Sequence, residues 1–246
     1  MSALYTKLSE IYEGMYQTFI NYEEEFVFYA DVLKKYKCQS VLETGCGTGN
    51  LARRFAADHF DYIGMDISED MLDIAKRNNP QADFIKGDMR NFLLPAPRQS
   101  CIITGRSVSY LLSDRELNDT FQSIHKNMVA GGVLSFDFID ASRFLPSIKN
   151  GKSVMHQAVV KNKMYRRESF WKPNGSQKGA FDWRSVFYEE QADGSLANIG
   201  EDQSTIRAFW EEEMTTFLEA GKYKVEEIIP RATYAFDTLV MVAIKK

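Results

Sequence analysis

Val41-Leu42-Glu43-Thr44-Gly45-Cys46-Gly47-Thr48-Gly49-Asn50 decides how this chain is read. A short apolar run ends in an acid, and three alternate glycines follow before a helical stretch begins. Glycine is needed in such a strand-to-helix turn because a missing Cβ lets the backbone bend sharply and lets a ligand lie against it. A dinucleotide-binding loop, Gly-x-Gly-x-x-Gly, would put its third glycine at position 50. Asn50 stands there instead, and the glycine is Gly49. No Lys-Ser/Thr pair follows, so the segment is not a phosphate loop either.

Downstream, short apolar runs alternate with helical periodicity, which predicts a parallel sheet with crossover helices. Strands are expected over 41–44, 62–66, 83–85, 100–104 and 133–138. Helices are expected over 50–58, 69–78 and 114–128. The last of these opens on Ser113 with Glu116 three residues on, a capping-box pattern, and Gly131-Gly132 offers it a left-handed exit. Two of the strands end in acids. Asp66 lies 17 positions beyond Gly49, near the spacing of about 20 at which an acid can accept hydrogen bonds from ribose hydroxyls. Asp88 follows the next strand in Gly87-Asp88-Met89-Arg90. Ligands of doubly wound sheets bind outside the carboxyl ends of the strands, so Glu43, Asp66 and Asp88 are expected to converge on one crevice.

Residues 1–36 read as helix, with Phe26, Tyr29, Ala30, Leu33 and Tyr36 spaced as one buried face. After Asp140 the rhythm changes to an antiparallel meander over roughly 150–210. Lys161-Asn162-Lys163, Asn174-Gly175 and Asp193-Gly194 supply its turns. A helix over 212–220 and strands over 223–229 and 234–244 close the chain. The expected fold is α/β and doubly wound (Rossmann-like), a mostly parallel seven-stranded sheet with an antiparallel β insertion before the last helix and strands. Its expected parts are N-terminal helices at 1–36, a core at 37–140 and 212–246, and an insertion at 141–211.

Bulk composition narrows the function classes. The 246 residues carry 34 acids against 30 bases, a net charge of -4, which argues against a dedicated nucleic-acid binder. Cys38, Cys46 and Cys101 form no CxxC pair and the histidines are scattered, so no metal site or disulfide framework is expected. Residues 1–7 lack the basic-then-apolar pattern of a signal peptide, and no apolar run approaches the ~20 residues of a membrane span. A cytoplasmic protein without membrane partners is expected.

The glycine loop, the acid after strand 2 and the Gly-Asp pair after strand 3 together resemble class I S-adenosylmethionine-dependent methyltransferases. Within 5–140, Ser68-Glu69-Asp70-Met71-Leu72, Gly87-Asp88-Met89-Arg90, Ser107-Val108-Ser109-Tyr110-Leu111 and Ile11-Tyr12-Glu13-Gly14-Met15-Tyr16 look like the small-molecule branch. That branch includes N,N-dimethyltransferases of nucleotide-linked amino sugars. The resemblance implies S-adenosyl-L-methionine as cofactor and a small-molecule methyl acceptor bound by a monomer or homodimer. It implies that the Gly45–Gly49 backbone, Gly45, Cys46 and Gly47 above all, holds the methionine part, with Glu43 near its amino group, and that Asn50 and Ser107 also bind the cofactor. Asp66 would take the ribose, Ile67 and Met71 would flank the adenine, Asp88 would bind its amine and Met89 would pack on the ring. One of Tyr12, Tyr16 and Tyr22 would cover the cofactor, and the insertion would cap the acceptor.

Other residues have two readings. Arg106 stands where relatives often carry Asp or Ser, and either grips an anionic acceptor or pairs with a nearby acid. Tyr110 either shapes the acceptor pocket or closes a helix end, and Arg207 is an acceptor-site candidate by position. The insertion is basic first and acidic second, which reads best as charge pairing across antiparallel strands. No general base stands out, which favours an N acceptor or an already acidic hydroxyl. The acceptor motifs Asn/Asp-Pro-Pro-Tyr and Pro-Cys of DNA methyltransferases are missing, Gly105-Arg106-Ser107 standing after strand 4. The remaining alternatives are an RNA or other nucleic-acid methyltransferase, a non-catalytic cofactor-binding module and an NAD-dependent oxidoreductase, which an NADH titration would separate.

Overall fold

The expected strands are apolar on both sides, so each must be buried on both faces, and the structure meets that demand with a sheet covered by helices. A computed structural model describes residues 9–233 and 236–246 of the chain. Helix α1 (Ser9–Phe19) and helix α2 (Tyr22–Lys35) precede β1 (Ser40–Thr44), α3 (Ala52–Ala57), β2 (Asp61–Asp66), α4 (Glu69–Asn78) and β3 (Asp83–Lys86). Then come β4 (Arg98–Ile103), a single 3₁₀ turn at Ser107–Tyr110, α5 (Asp114–Lys126) and β5 (Met128–Ile139). The N-terminal helical reading falls partly on 1–8, and that of the last strand begins on Tyr234; both lie outside the described residues. Within the described part the helix is broken at Asn21, whose side chain accepts the Glu23 and Glu24 N–H groups and starts α2 afresh.

Strands β1 to β5 pair in parallel in the order β5-β4-β1-β2-β3. Alternate residues enter opposite cores. Leu42, Cys101, Ile103, Leu134, Phe136 and Phe138 enter one, and Val41, Ile102 and Val133 enter the other. Helix α5 carries the expected capping box but ends at Lys126, short of Gly131-Gly132. Asn127 closes it by bonding Phe92, Leu94 and Ser123 backbone groups. The two glycines lie inside β5, where the chain bulges: Arg98 pairs with Met128 but Ser100 already pairs with Val133. Gly131 takes φ +73°, and a Cβ on Gly132 would come within 2.9 Å of the Val129 carbonyl.

After β5, a helix that sequence reading missed, α6 (Ala141–Ser147), starts on the Asp140 cap. Strands β6 (Lys152–Val160), β7 (Lys163–Pro173), β8 (Ala180–Glu190) and β9 (Leu196–Arg207) form a separate four-stranded antiparallel sheet in chain order. Lys161 and Asn162 both take positive φ in the β6–β7 hairpin, as a two-residue primed turn requires. The basic and acidic halves pair across this sheet, as Lys163–Glu189, Arg166–Glu190 and Arg184–Glu201. Helix α7 (Glu211–Ala220) and strands β10 (Tyr223–Thr233) and β11 (Phe236–Lys245) return to the main sheet. There β11 lies antiparallel between β5 and β10, giving seven strands in the order β10-β11-β5-β4-β1-β2-β3.

The two sheets share an aromatic core. Trp171 is 1% exposed and touches Phe144, Trp183 and Phe236, so residues from α6, the insertion and β11 pack as one body. Trp171→Ala is expected to lower unfolding free energy by about 3–5 kcal/mol in urea titrations, the range for emptying a large aromatic site. A loss below 1 kcal/mol would mean the insertion folds apart from the core.

Candidate functional site

Strand β1 has β2 on one side and β4 on the other, so the connections leaving it diverge and open a crevice at the strands' carboxyl ends. A cavity of about 690 Å³ occupies this point. The glycine loop and the ends of β2, β4 and β5 form its floor, α1 and α2 its cover, and Trp183 with 204–206 of the insertion its far wall.

The loop is held by the neighbouring strand. Gly45 and Cys46 both donate to the Met65 carbonyl (2.7 and 3.1 Å), and Gly47 donates to Asp66 Oδ2 at 2.8 Å. Gly45 takes φ +73°, and a Cβ there would meet Ser107 Oγ at 2.7 Å. A Cβ on Gly49 would strike Phe84, Ala75 and Asn79, so this glycine lets α4 and β3 approach the loop. Glu13 of α1 reaches down to Thr48 and Asn50, which Gln17 also contacts, fastening the cover to the loop.

All three expected acids line the cavity. Glu43 is buried and takes hydrogen bonds from Tyr62 (2.6 Å) and Thr104 (2.7 Å). Burial outweighs these bonds and pushes its carboxyl up to about 7. Asp66 is also raised by burial, against the pull of the Ser68, Gly47 and Ile67 N–H groups. Asp88 behaves oppositely. Arg90 donates to both its oxygens (2.6–3.1 Å) and holds it below the usual carboxylate range, while also bonding Glu116 at 2.5 Å. Sequence reading quoted that arginine within Gly87-Asp88-Met89-Arg90 but gave it no role of its own.

Ile67, Met71, Met89, Asn50, Cys46 and Ser107 line the same cavity, as do Tyr12, Tyr16 and Tyr22. Tyr12 and Tyr16 stack with centroids 4.0 Å apart, and the Tyr16 hydroxyl accepts from Arg167 at 3.0 Å. Burial and the nearby Glu43 and Asp66 push the Cys46 thiol well above its ordinary value, away from the thiolate form that a nucleophile uses.

Of the acceptor candidates, Arg106 and Tyr110 line the cavity and Arg207 does not. Arg106 sits in the left-handed region at φ 64°, with its guanidinium 4.8 Å from the Phe236 ring. Arg207 is 4% exposed and bonds Asp114 (2.8 Å), Glu213 (2.5 Å) and the Leu112 carbonyl. It ties β9 to the starts of α5 and α7, because two acids and a carbonyl already surround its guanidinium there. Sequence reading missed Asp137, Arg231 and Trp183 as cavity residues. Asp137 had a signal, a lone charge within the apolar run 133–139. Arg231 had none, because its place depends on β10 lying at the sheet edge. Among the described residues no cluster of three or more metal-binding side chains occurs, and no helix is long and apolar enough to cross a membrane.

Residues 41–132 match the family model described as a methyltransferase domain. The chain is 34% identical over 98 residues to dTDP-3-amino-3,4,6-trideoxy-alpha-D-glucopyranose N,N-dimethyltransferase of Streptomyces venezuelae, covering 40% of this chain and 41% of that protein. It is 25% identical over 178 residues to dTDP-4-amino-2,3,4,6-tetradeoxy-D-glucose N,N-dimethyltransferase of Saccharopolyspora spinosa, covering 67% and 72%. Over the first two curated relatives it spans about half of their length or less, 41% and 51%. Among solved structures it is similar to an S-adenosylmethionine-bound amino pentose methyltransferase of Micromonospora echinaspora, with a TM-score of 0.81 and 20% identity. That match covers 96% of this chain and 97% of the other and establishes the shared fold.

The buried Glu43 gives a stability prediction with a definite sign. A carboxyl raised from 4.5 to about 7 binds its proton more tightly folded than unfolded, so it costs stability as pH rises through that window. Glu43→Gln removes the cost. The stability of the variant relative to wild type is expected to rise between pH 4.5 and 7 and level off above. A flat difference across those pH values in denaturant titrations would show that Glu43 is not buried as a free acid.

Proposed function

We propose that this chain, whose residues 41–132 match a methyltransferase domain, transfers a methyl group from S-adenosyl-L-methionine to the nitrogen of a small amine acceptor. The observation that carries the reading is the convergence of Glu43, Asp66 and Asp88 on a crevice whose glycine loop leaves no room for a Cβ at Gly45. These residues fit the cofactor. The loop backbone and Glu43 hold the amino-acid end, and Asp66 keeps acceptor capacity for the ribose. Asp88, Ile67, Met71 and Met89 surround the base. Tyr12, Tyr16 and Tyr22 shut the cover. The cofactor brings a methyl already activated by its sulfonium charge, so the chain's work is alignment and exclusion of water. Holding two reactants in line is worth ~7–11 kcal/mol of barrier.

The two curated relatives named above act on nucleotide-linked amino sugars, and the acceptor here belongs to the same broad class of polar amines. Residues 141–211 serve as its cap, and 1–36 as the cover over the cofactor. Arg106 and Tyr110 bind the acceptor and not the cofactor. The protein is a cytoplasmic enzyme, and nucleic acid is not its target.

Radiolabelled methyl transfer to a panel of nucleotide-linked amino sugars and simpler amines tests the proposal, with the demethylated thioether measured in parallel. Matched N-methyl product and thioether are expected. Arg106→Ala is expected to raise the acceptor KM about tenfold, the loss of one charge-assisted contact. Cofactor KM should stay unchanged. Bound cofactor with no product from any amine would overturn the reading and leave a binding module.

A further inference from the structure

Asp137 is a charge in a place where the sheet should be apolar. It lies in β5 between Phe136 and Phe138, whose rings enter the core on one side of the sheet. Its own side chain turns the other way and is 4% exposed, at the wall of the cavity. One oxygen, Oδ1, accepts the Arg106 N–H at 2.8 Å. The charged and titratable groups around it come from three elements. The segment after β4 brings the Arg106 guanidinium, α2 brings Glu25 and Tyr29, and β10 brings Arg231. Arg231 is itself bonded by Glu25 at 2.8 Å, which satisfies much of that cation's field.

Position along the sheet gives this carboxylate a direction to act in. The acids assigned to the nucleoside stand at the ends of β2 and β3. The loop and Ser107, assigned to the amino-acid end, stand after β1 and β4. Strand β5 is the next one out, beyond β4, at the usual inter-strand spacing of about 4.8 Å. Asp137 therefore stands on the β5 side of the loop and Ser107, in the cavity that Trp183 and Thr205 of the insertion also line.

Resting on the methyltransferase reading above, we propose that Asp137 binds the acceptor as a protonated amine and accepts its proton. The carboxylate supplies the counter-charge that a cation needs to enter a mostly buried chamber. An N–H bond then breaks and an O–H bond forms on Asp137, with the electron pair left on the nitrogen. That pair attacks the methyl carbon, so that an N–C bond forms as the S–C bond breaks and its electron pair leaves on sulfur as the neutral thioether. The proton leaves Asp137 to water when product departs, restoring the carboxylate. Burial raises the Asp137 carboxyl to about 6, with Arg106 pulling in the opposite direction, which brings it nearer the range where a general base works at neutral pH. An N acceptor thus has a base in this site after all.

The test needs no knowledge of the acceptor. Sinefungin matches the cofactor except that carbon replaces the sulfur and an amino group replaces the methyl, so its ammonium stands at the transfer point. S-adenosylhomocysteine shares its nucleoside and amino-acid ends, so titration of Glu43 and Asp66 cancels in the ratio of the two affinities. Calorimetry of both ligands with wild type and Asp137→Asn, from pH 5 to 8, reads that ratio. Wild type should favour sinefungin at pH 8, and the preference should fall about tenfold in the variant, as for loss of a charge-assisted contact. In wild type it should also fall as pH drops through about 6. A ratio unmoved by the substitution and flat across that pH overturns the inference while leaving the methyltransferase reading intact. Failure of wild type to bind either ligand overturns both. If the variant binds neither ligand because it does not fold, the wild-type pH profile decides alone.

Discussion

The parallel ladder that β1 makes with β2 on one side and β4 on the other is the constraint on which the rest depends. A chain that leaves β1 for β2 crosses one face of the sheet, and the later return to β4 crosses the other. No connection spans the gap between them, so the strand ends beside β1 stay open. Gly45 and Cys46 donate to Met65, and Gly47 donates to Asp66, so β2 fixes how the loop lies across that opening. The same geometry brings the ends of β3, β4 and β5 to the rim, and each contributes a polar group: Asp88, Ser107 and Asp137.

Electrostatics then divides the crevice. Glu43 and Asp137 are buried acids pushed upward by loss of water, each with one or two hydrogen bonds holding it in place. Asp88 is more exposed and is clamped by Arg90, so it stays ionised. A carboxylate kept charged at one end suits a polar base edge, and one kept near neutrality by burial suits proton traffic. The insertion contributes little charge to the wall, because its lysines, arginines and acids pair across its own strands.

Much of this was legible in the sequence because it is local. The run 69–78 has caps and periodicity of its own, and α4 occupies those residues. The loop and the acids at 43, 66 and 88 sit at strand ends that periodicity locates, so their convergence follows from topology. What escaped depends on distant partners. Gly131-Gly132 looks like a helix exit, yet the bulge it makes is set by pairing with β4. Arg207 falls at a plausible acceptor position, yet Asp114 and Glu213, which hold it, come from two helices whose docking no local pattern encodes. Asp137 was visible as a charge in an apolar run, but its face became known only once β11 was placed beside β5.

Cofactor recognition through Asp66 is the claim that everything else presupposes. Titration calorimetry of wild type and Asp66→Ala with S-adenosylmethionine, S-adenosylhomocysteine and NADH tests it most directly. The account predicts binding of the first two, no heat from NADH, and affinity lowered tenfold or more by the substitution, as for loss of a buried hydrogen-bonded charge. Binding of NADH alone, or of none of the three, would contradict it.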